Sequence, residues 1–168
     1  MRKKILIVDD EPRILRLLCL RMGKSYDPFP ASDGNQAVEM AASLIPDLII
    51  MDIAMPGMNG LEACRLIRQN PKPTAIPMLA ASARVFHKDI TEIQNGGFDD
   101  VIMKPFSYKD LVPHMEELLN GKVTNQLPSP SILASTTWQQ LQYASHLRIR
   151  EIDRSESIAP ANCQRCQA

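Results

Sequence analysis

Four apolar stretches of this chain each run into a residue able to do metal or phosphorus chemistry. Residues 5–8 lead into Asp9, Asp10 and Glu11, and residues 48–51 end on Asp52. Residues 76–81 end at Ser82, and residues 101–103 at Lys104. Three carboxylates brought together repel one another, and a divalent cation makes the cluster tolerable; hard oxygen ligands suit Mg2+. A carboxylate can also attack phosphorus and form an acyl phosphate. That reaction needs positive charge on the phosphoryl oxygens, which Mg2+ and an ammonium would supply. Lys104 is the candidate ammonium, and Ser82 a hydroxyl able to donate to a phosphoryl oxygen. Each residue also has a plainer reading. Asp10 and Ser82 suit helix N-caps, and Lys104 suits a solvated loop. Those plainer readings would have to coincide at four successive strand ends, which favours a shared site.

The intervening segments read as the elements that would position these groups. A continuous apolar run such as 48–51 is the pattern of a strand covered on both faces, typical of a parallel sheet. After the first run, Pro12 suits a first helical turn. Ile14, Leu17, Leu18 and Met22 follow at helical spacing up to Gly23. Residues 26–31 read as a second strand, but Pro28 and Pro30 confine it to a sheet edge. Ala37, Ala41, Leu44 and Ile45 mark one face of a helix closed by Pro46. Asn59 with Glu62 has capping-box spacing, and residues 70–73 form a loop. Phe86, Ile90 and Ile93 pattern another helix, ended by Asn95, Gly96 and Gly97. Ser107 and Asp110 open a last helix with Leu111, Met115, Leu118 and Leu119 on its buried face, and with Pro113 inside it. Strand and helix alternate throughout, which implies an α/β, flavodoxin-like, doubly wound (βα)5 parallel sheet. With the proline-bearing strand at the edge, the strand order is 2-1-3-4-5. Strands 1, 3, 4 and 5 are then neighbours, about 5 Å apart, and ligands bind such sheets beyond the carboxyl ends of the strands.

Composition narrows the function classes. The chain has 168 residues and a net charge of zero, which gives no global signal for nucleic acid or a membrane surface. Arg2, Lys3 and Lys4 before an apolar run mimic a secretory leader, but the run stops at Asp9, too early for one. The expected location is therefore the cytoplasm. Cys19 and Cys64 fall in helical patterns and read as reduced core thiols.

The four motifs resemble the response regulator receiver domain, the phosphoacceptor part of bacterial two-component signalling. They are residues 5–11 (Ile-Leu-Ile-Val-Asp-Asp-Glu), residues 51–60 (Met-Asp-Ile-Ala-Met-Pro-Gly-Met-Asn-Gly), residues 80–83 (Ala-Ala-Ser-Ala) and residues 104–106 (Lys-Pro-Phe). The resemblance spans about residues 3–120. It implies that Asp52 accepts a phosphoryl group from a histidine of a sensor kinase or phosphotransfer protein. It implies that Asp9, Asp10 and Asp52 hold Mg2+, with the Ala54 backbone carbonyl as a further ligand. Ser82 would be the switch hydroxyl and Lys104 its partner at the phosphate. Pro56, Gly60 and Pro105 would fix loop geometry, with a cis bond before Pro105. One position departs from the pattern: where many members carry Tyr or Phe, this chain has Val101.

The expected organisation is a receiver domain over 1–121, then a linker and short tail over 122–168 without a stable fold of its own. The tail contains Pro128, Pro130 and a weak helical pattern at Trp138, Leu141 and Ala144. Cys163 and Cys166 have metal-like spacing without a second pair, and read as free thiols. No output domain is recognisable. The expectation is a switch acting through an unidentified downstream protein, with a homodimer open, no membrane partner, and nucleic acid disfavoured. An aspartyl-phosphate phosphatase would want a second Asp at position 54, where this chain has Ala54. A flavin-binding module would want a hydroxyl- and glycine-rich loop in place of Asp9, Asp10, Glu11 and Pro12. The kinase, stimulus, target and phosphate lifetime are not written in the residues.

Overall fold

The structure, a computed structural model, describes residues 1–70, 76–83, 92–93 and 95–121. Residues 71–73 of the expected loop, the helix positions Phe86 and Ile90, and everything read in the tail lie outside the described residues. The elements are β1 (Lys4–Val8), α1 (Pro12–Met22), β2 (Asp27–Ala31), α2 (Gly34–Leu44), β3 (Leu48–Asp52), α3 (Gly60–Gln69), β4 (Met78–Ser82), β5 (Asp100–Met103) and α4 (Tyr108–Leu119). All the strand pairs are parallel, and the sheet order is β2-β1-β3-β4-β5, as the alternation and the prolines imply.

β2 shows how two prolines fit in a sheet. Asp27 N donates to Lys3 O at 2.9 Å, and Asp9 N donates to Ala31 O at 3.2 Å. Odd-numbered residues of β2 thus bond toward β1. Pro28 and Pro30, of the other parity, face away from the ladder, where a missing N–H costs nothing.

One face of the sheet packs Ile5, Ile7, Leu48, Ile50, Leu79, Ala81 and Ile102 against Leu15, Leu18, Cys19 and Met22 of α1 and Leu111, Met115 and Leu118 of α4. The alternate residues, among them Leu6, Ile49, Met51 and Ala80, are equally buried. β3 is buried along its whole length, as its unbroken apolar run requires.

Four sequence readings are corrected. On α1 the buried face is Leu15, Leu18, Cys19 and Met22, whereas Leu17 is 50% exposed. The apolar run 17–20 offers two candidate stripes, and spacing alone picked the wrong member. Ile45 is not on the buried face of α2; it caps that helix in the left-handed region at φ 48° and is 53% exposed. Pro46 disfavours further helix, and the turn swings Ile45 outward. β4 begins at Met78 rather than residue 76, because Pro77 has no N–H to give the ladder; its carbonyl still accepts from Ile49 N at 3.0 Å. Finally, the N-cap of α1 is Glu11, with no side-chain capping bond. Asp10 does not cap it.

The capping boxes are present as read. Asn59 accepts from Glu62 N while Glu62 accepts from Asn59 N, and Ser107 and Asp110 do the same on α4. Pro113 lies within α4 on its exposed side. The carbonyl it leaves without a helical partner can therefore face water.

Candidate functional site at the carboxyl edge of the sheet

β1 and β3 are direct neighbours, with Val8 level with Met51. That register brings Asp9 and Asp52 side by side just past the strands. Both are buried, at 3% and 6% exposure, while Asp10 is exposed. One carboxylate oxygen from each of Asp9, Asp10 and Asp52 lies within 4.8 Å of the others. The Lys104 ammonium donates to Asp9 Oδ2 at 2.6 Å and to Asp52 Oδ2 at 2.7 Å. β5 delivers it there, since Lys104 N donates to Ser82 O at 2.8 Å and extends the ladder past the strand end.

The remaining oxygens are aimed by backbone. Glu11 N donates to Asp9 Oδ1 at 2.9 Å, and Ala54 N to Asp52 Oδ1 at 3.1 Å. Ser82 is 7% exposed and closes β4, one residue beyond the level of Asp52. Val101 is buried on β5 and offers no ring. The Lys104–Pro105 bond is cis.

The loop from Asp52 to α3 fits closely. A Cβ on Gly60 would lie 2.2 Å from Asp52 O and 2.9 Å from Ile53 Cα. Gly57, after Pro56, adopts φ +74°, which favours glycine.

Burial dominates the electrostatics of Asp9 and raises its pKa; Lys104 and Glu11 N pull it down, and Asp52 adds repulsion. Burial alone would lower the Lys104 pKa, but hydrogen bonds to Asp52 and Asp9 outweigh it and the net shift is upward. Both directions are consistent with one cation shared by crowded carboxylates. Three carboxylates against one ammonium leave two negative charges, the charge of one divalent cation. All the side-chain donors are hard oxygens, so the set fits Mg2+.

Further ion pairs among the described residues escaped the sequence reading, two of them around the start of β5. Arg68 at the end of α3 donates to Gly97 O, Ile76 O and Asp99 Oδ2, and Asp99 Oδ2 also accepts from Met78 N. Asp100, 7% exposed, faces His114 Nδ1 of α4. Two adjacent acids ahead of an apolar strand were the available signal, but nothing in their spacing identifies the partners.

A parallel sheet of this order, with acids and Lys104 at its carboxyl edge, defines a doubly wound, flavodoxin-like protein with an acidic site at the strand ends. The chain belongs to the response regulator receiver domain family, whose profile matches residues 5–116. The family serves as the signalling switch of two-component systems. Over 120 residues the chain is 35% identical to the DNA-binding response regulator MtrA of Mycolicibacterium smegmatis, covering 71% of this chain and 51% of the relative. It is 36% identical over 132 residues to the alkaline phosphatase synthesis transcriptional regulatory protein PhoP of Bacillus subtilis, covering 78% and 53%. The chain thus spans about half the length of the curated relatives it matches. Among solved structures, chemotaxis protein CheY4 of Vibrio cholerae superposes with a TM-score of 0.67 at 25% identity, over 70% of this chain and 99% of that one. No helix among the described residues is long and apolar enough to cross a membrane.

Proposed function

We propose that this chain is a phosphorylation switch in which Asp52 is the phosphoacceptor. The observation that carries the reading is the Lys104 ammonium held between Asp9 and Asp52 inside the acidic cluster. Asp52 ends the central strand β3, with a backbone donor on one oxygen and the ammonium on the other. An Asp52 oxygen attacks the phosphorus of a phosphohistidine on a sensor kinase or phosphotransfer protein. The new O–P bond forms as the P–N bond breaks, and the departing imidazole keeps the electron pair. Asp9, Asp10 and Asp52, with the Ala54 carbonyl, would hold Mg2+, which when bound neutralises charge on the phosphoryl oxygens. Lys104 then follows the phosphoryl group and Ser82 donates to it, which shifts a two-state equilibrium and changes partner binding. With Val101 in place of a ring, the hydroxyl and the lysine carry that readout without an aromatic rotamer. The domain ends near residue 121, and the chain acts as a switch rather than as a turnover enzyme.

Intact mass after incubation with acetyl phosphate and Mg2+ tests this. A phosphoryl adduct is expected on the wild type and absent from Asp52→Asn and from an EDTA control. An adduct that persists in Asp52→Asn overturns the assignment.

The downstream step has two readings. One is a protein target that distinguishes the two forms of the receiver. The names of MtrA and PhoP favour DNA as the eventual target, reached through sequence beyond the matched region. Gel-shift titration of the full chain and of residues 1–121, each with and without acetyl phosphate, separates them. Binding to genomic fragments only with residues 122–168 present supports the DNA reading.

A further inference from the structure

We propose that Asp100 and His114 form a proton-dependent latch that holds α4 to the edge strand β5 and steadies the short connection presenting Lys104. β5 ends at Met103 and α4 begins at Tyr108, so residues 104–107 are all that joins them. Asp100 opens β5 and His114 lies in the second turn of α4, so their contact closes a ring around that connection. Its bearing on Lys104 as a switch group rests on the function proposed above; the pair itself does not.

A carboxylate buried on an edge strand is costly unless it is paired. Asp100 is 7% exposed. Its Oδ1 accepts from Val101 N at 2.7 Å, and its Oδ2 meets His114 Nδ1. The neighbouring Asp99 takes Arg68, so among the described residues the ion-pair partner of Asp100 is the imidazole. Glu117 and Asp110 of its own helix also act on His114, and both are acidic. Together with Asp100 they favour the cationic form of the ring.

The direction of the dependence follows. The hydrogen bond to Asp100 holds the His114 pKa above the ordinary 6.5, against an opposing effect of burial. A raised histidine contributes stability that is complete below the unfolded value and is lost as pH rises through the folded value. The neutral ring can still donate Nδ1–H to the carboxylate, but the bond loses its charge assistance, and charge-assisted bonds are about twice as strong. The latch is therefore tight in mildly acidic solution and slack in alkaline solution.

Imidazole C–H titration by NMR on the full chain, with His114 assigned by its loss in His114→Gln, tests the pair. The expected result is a midpoint above that of an unperturbed histidine side chain that falls toward it in Asp100→Asn. A wild-type midpoint at or below that of an unperturbed histidine overturns the pair, whether or not Asp100→Asn folds. Amide exchange tests the latch. In His114→Gln at pH 6, residues 106–111 are expected to exchange several-fold faster than in the wild type, with the gap narrowing at pH 8. Equal exchange at pH 6 overturns the hold on the Lys104 connection. Neither readout uses phosphorylation, so both stand apart from the fate of the Asp52 assignment.

Discussion

The Lys104 ammonium lies 2.7 Å from Asp52 Oδ2, so the chain's own cation rests against the carboxylate proposed to accept the phosphoryl group. It also lies 2.6 Å from Asp9, and the side chains of Asp9 and Asp52 are only 5% and 8% exposed. Removing one partner of such a buried arrangement leaves charge uncompensated, at about 3 kcal/mol. Lys104→Met is expected to lose roughly that much stability in EDTA. Mg2+ should recover most of it, because a divalent cation replaces the missing charge. Thermal melts with and without Mg2+ check this: the Mg2+-induced rise in Tm should be larger in the variant than in the wild type. An equal rise would mean that lysine and cation do not share the cluster.

Asp9 gives a prediction of opposite sign. Its pKa is raised in the fold from 3.8, chiefly by burial. A carboxylate with a raised folded pKa binds its proton more tightly when folded, so stability falls as pH climbs from about 3.8 through the folded value. Without divalent cations, Asp9→Asn is therefore expected to be more stable than the wild type at pH 7, and the advantage should vanish near pH 3. Urea titrations in EDTA at the two pH values measure it. In saturating Mg2+ the order should reverse, because the variant has lost a ligand.

The contact between Gly60 and Asp52 makes the acceptor loop intolerant of a side chain. A Cβ 2.2 Å from a backbone oxygen cannot be relieved by a rotamer change. Gly60→Ala is expected to cost about 3 kcal/mol, the upper range for overpacking. It should also weaken Mg2+ binding, because it displaces the Asp52 backbone. Gly57→Ala makes no close contact, so its cost is limited to the positive φ, about 1 kcal/mol. Chemical denaturation of the two variants separates steric from conformational strain.

Most of this site was legible because its residues sit at strand ends. An apolar run long enough to be a buried strand fixes where its last residue emerges, and the edge prolines fix the strand order. Together these bring Asp9, Asp52, Ser82 and Lys104 to one edge of the sheet. Contacts between helix and strand were not legible. Arg68 reaches Asp99 across 31 positions of sequence, and His114 reaches Asp100 across 14. No periodicity links either pair. Leu17 and Leu15 show the other limit. Where apolar residues crowd a helix on more than one face, the buried stripe is chosen by the neighbouring elements rather than by the helix itself.

Ile45 offers the last test, away from the site. A β-branched residue at φ 48° is strained, by roughly 1–2 kcal/mol. Its side chain is 53% exposed, so little packing offsets that cost. Asparagine visits the left-handed region more readily, which predicts that Ile45→Asn stabilises the protein by about 1 kcal/mol. Glycine would relieve the same strain but adds freedom to the unfolded chain, so Ile45→Gly should gain less. The urea midpoints of the three proteins should therefore rank Asn above Gly above Ile, with unchanged m-values. A loss of stability in Ile45→Asn would show that the isoleucine side chain is held by a contact worth more than the strain.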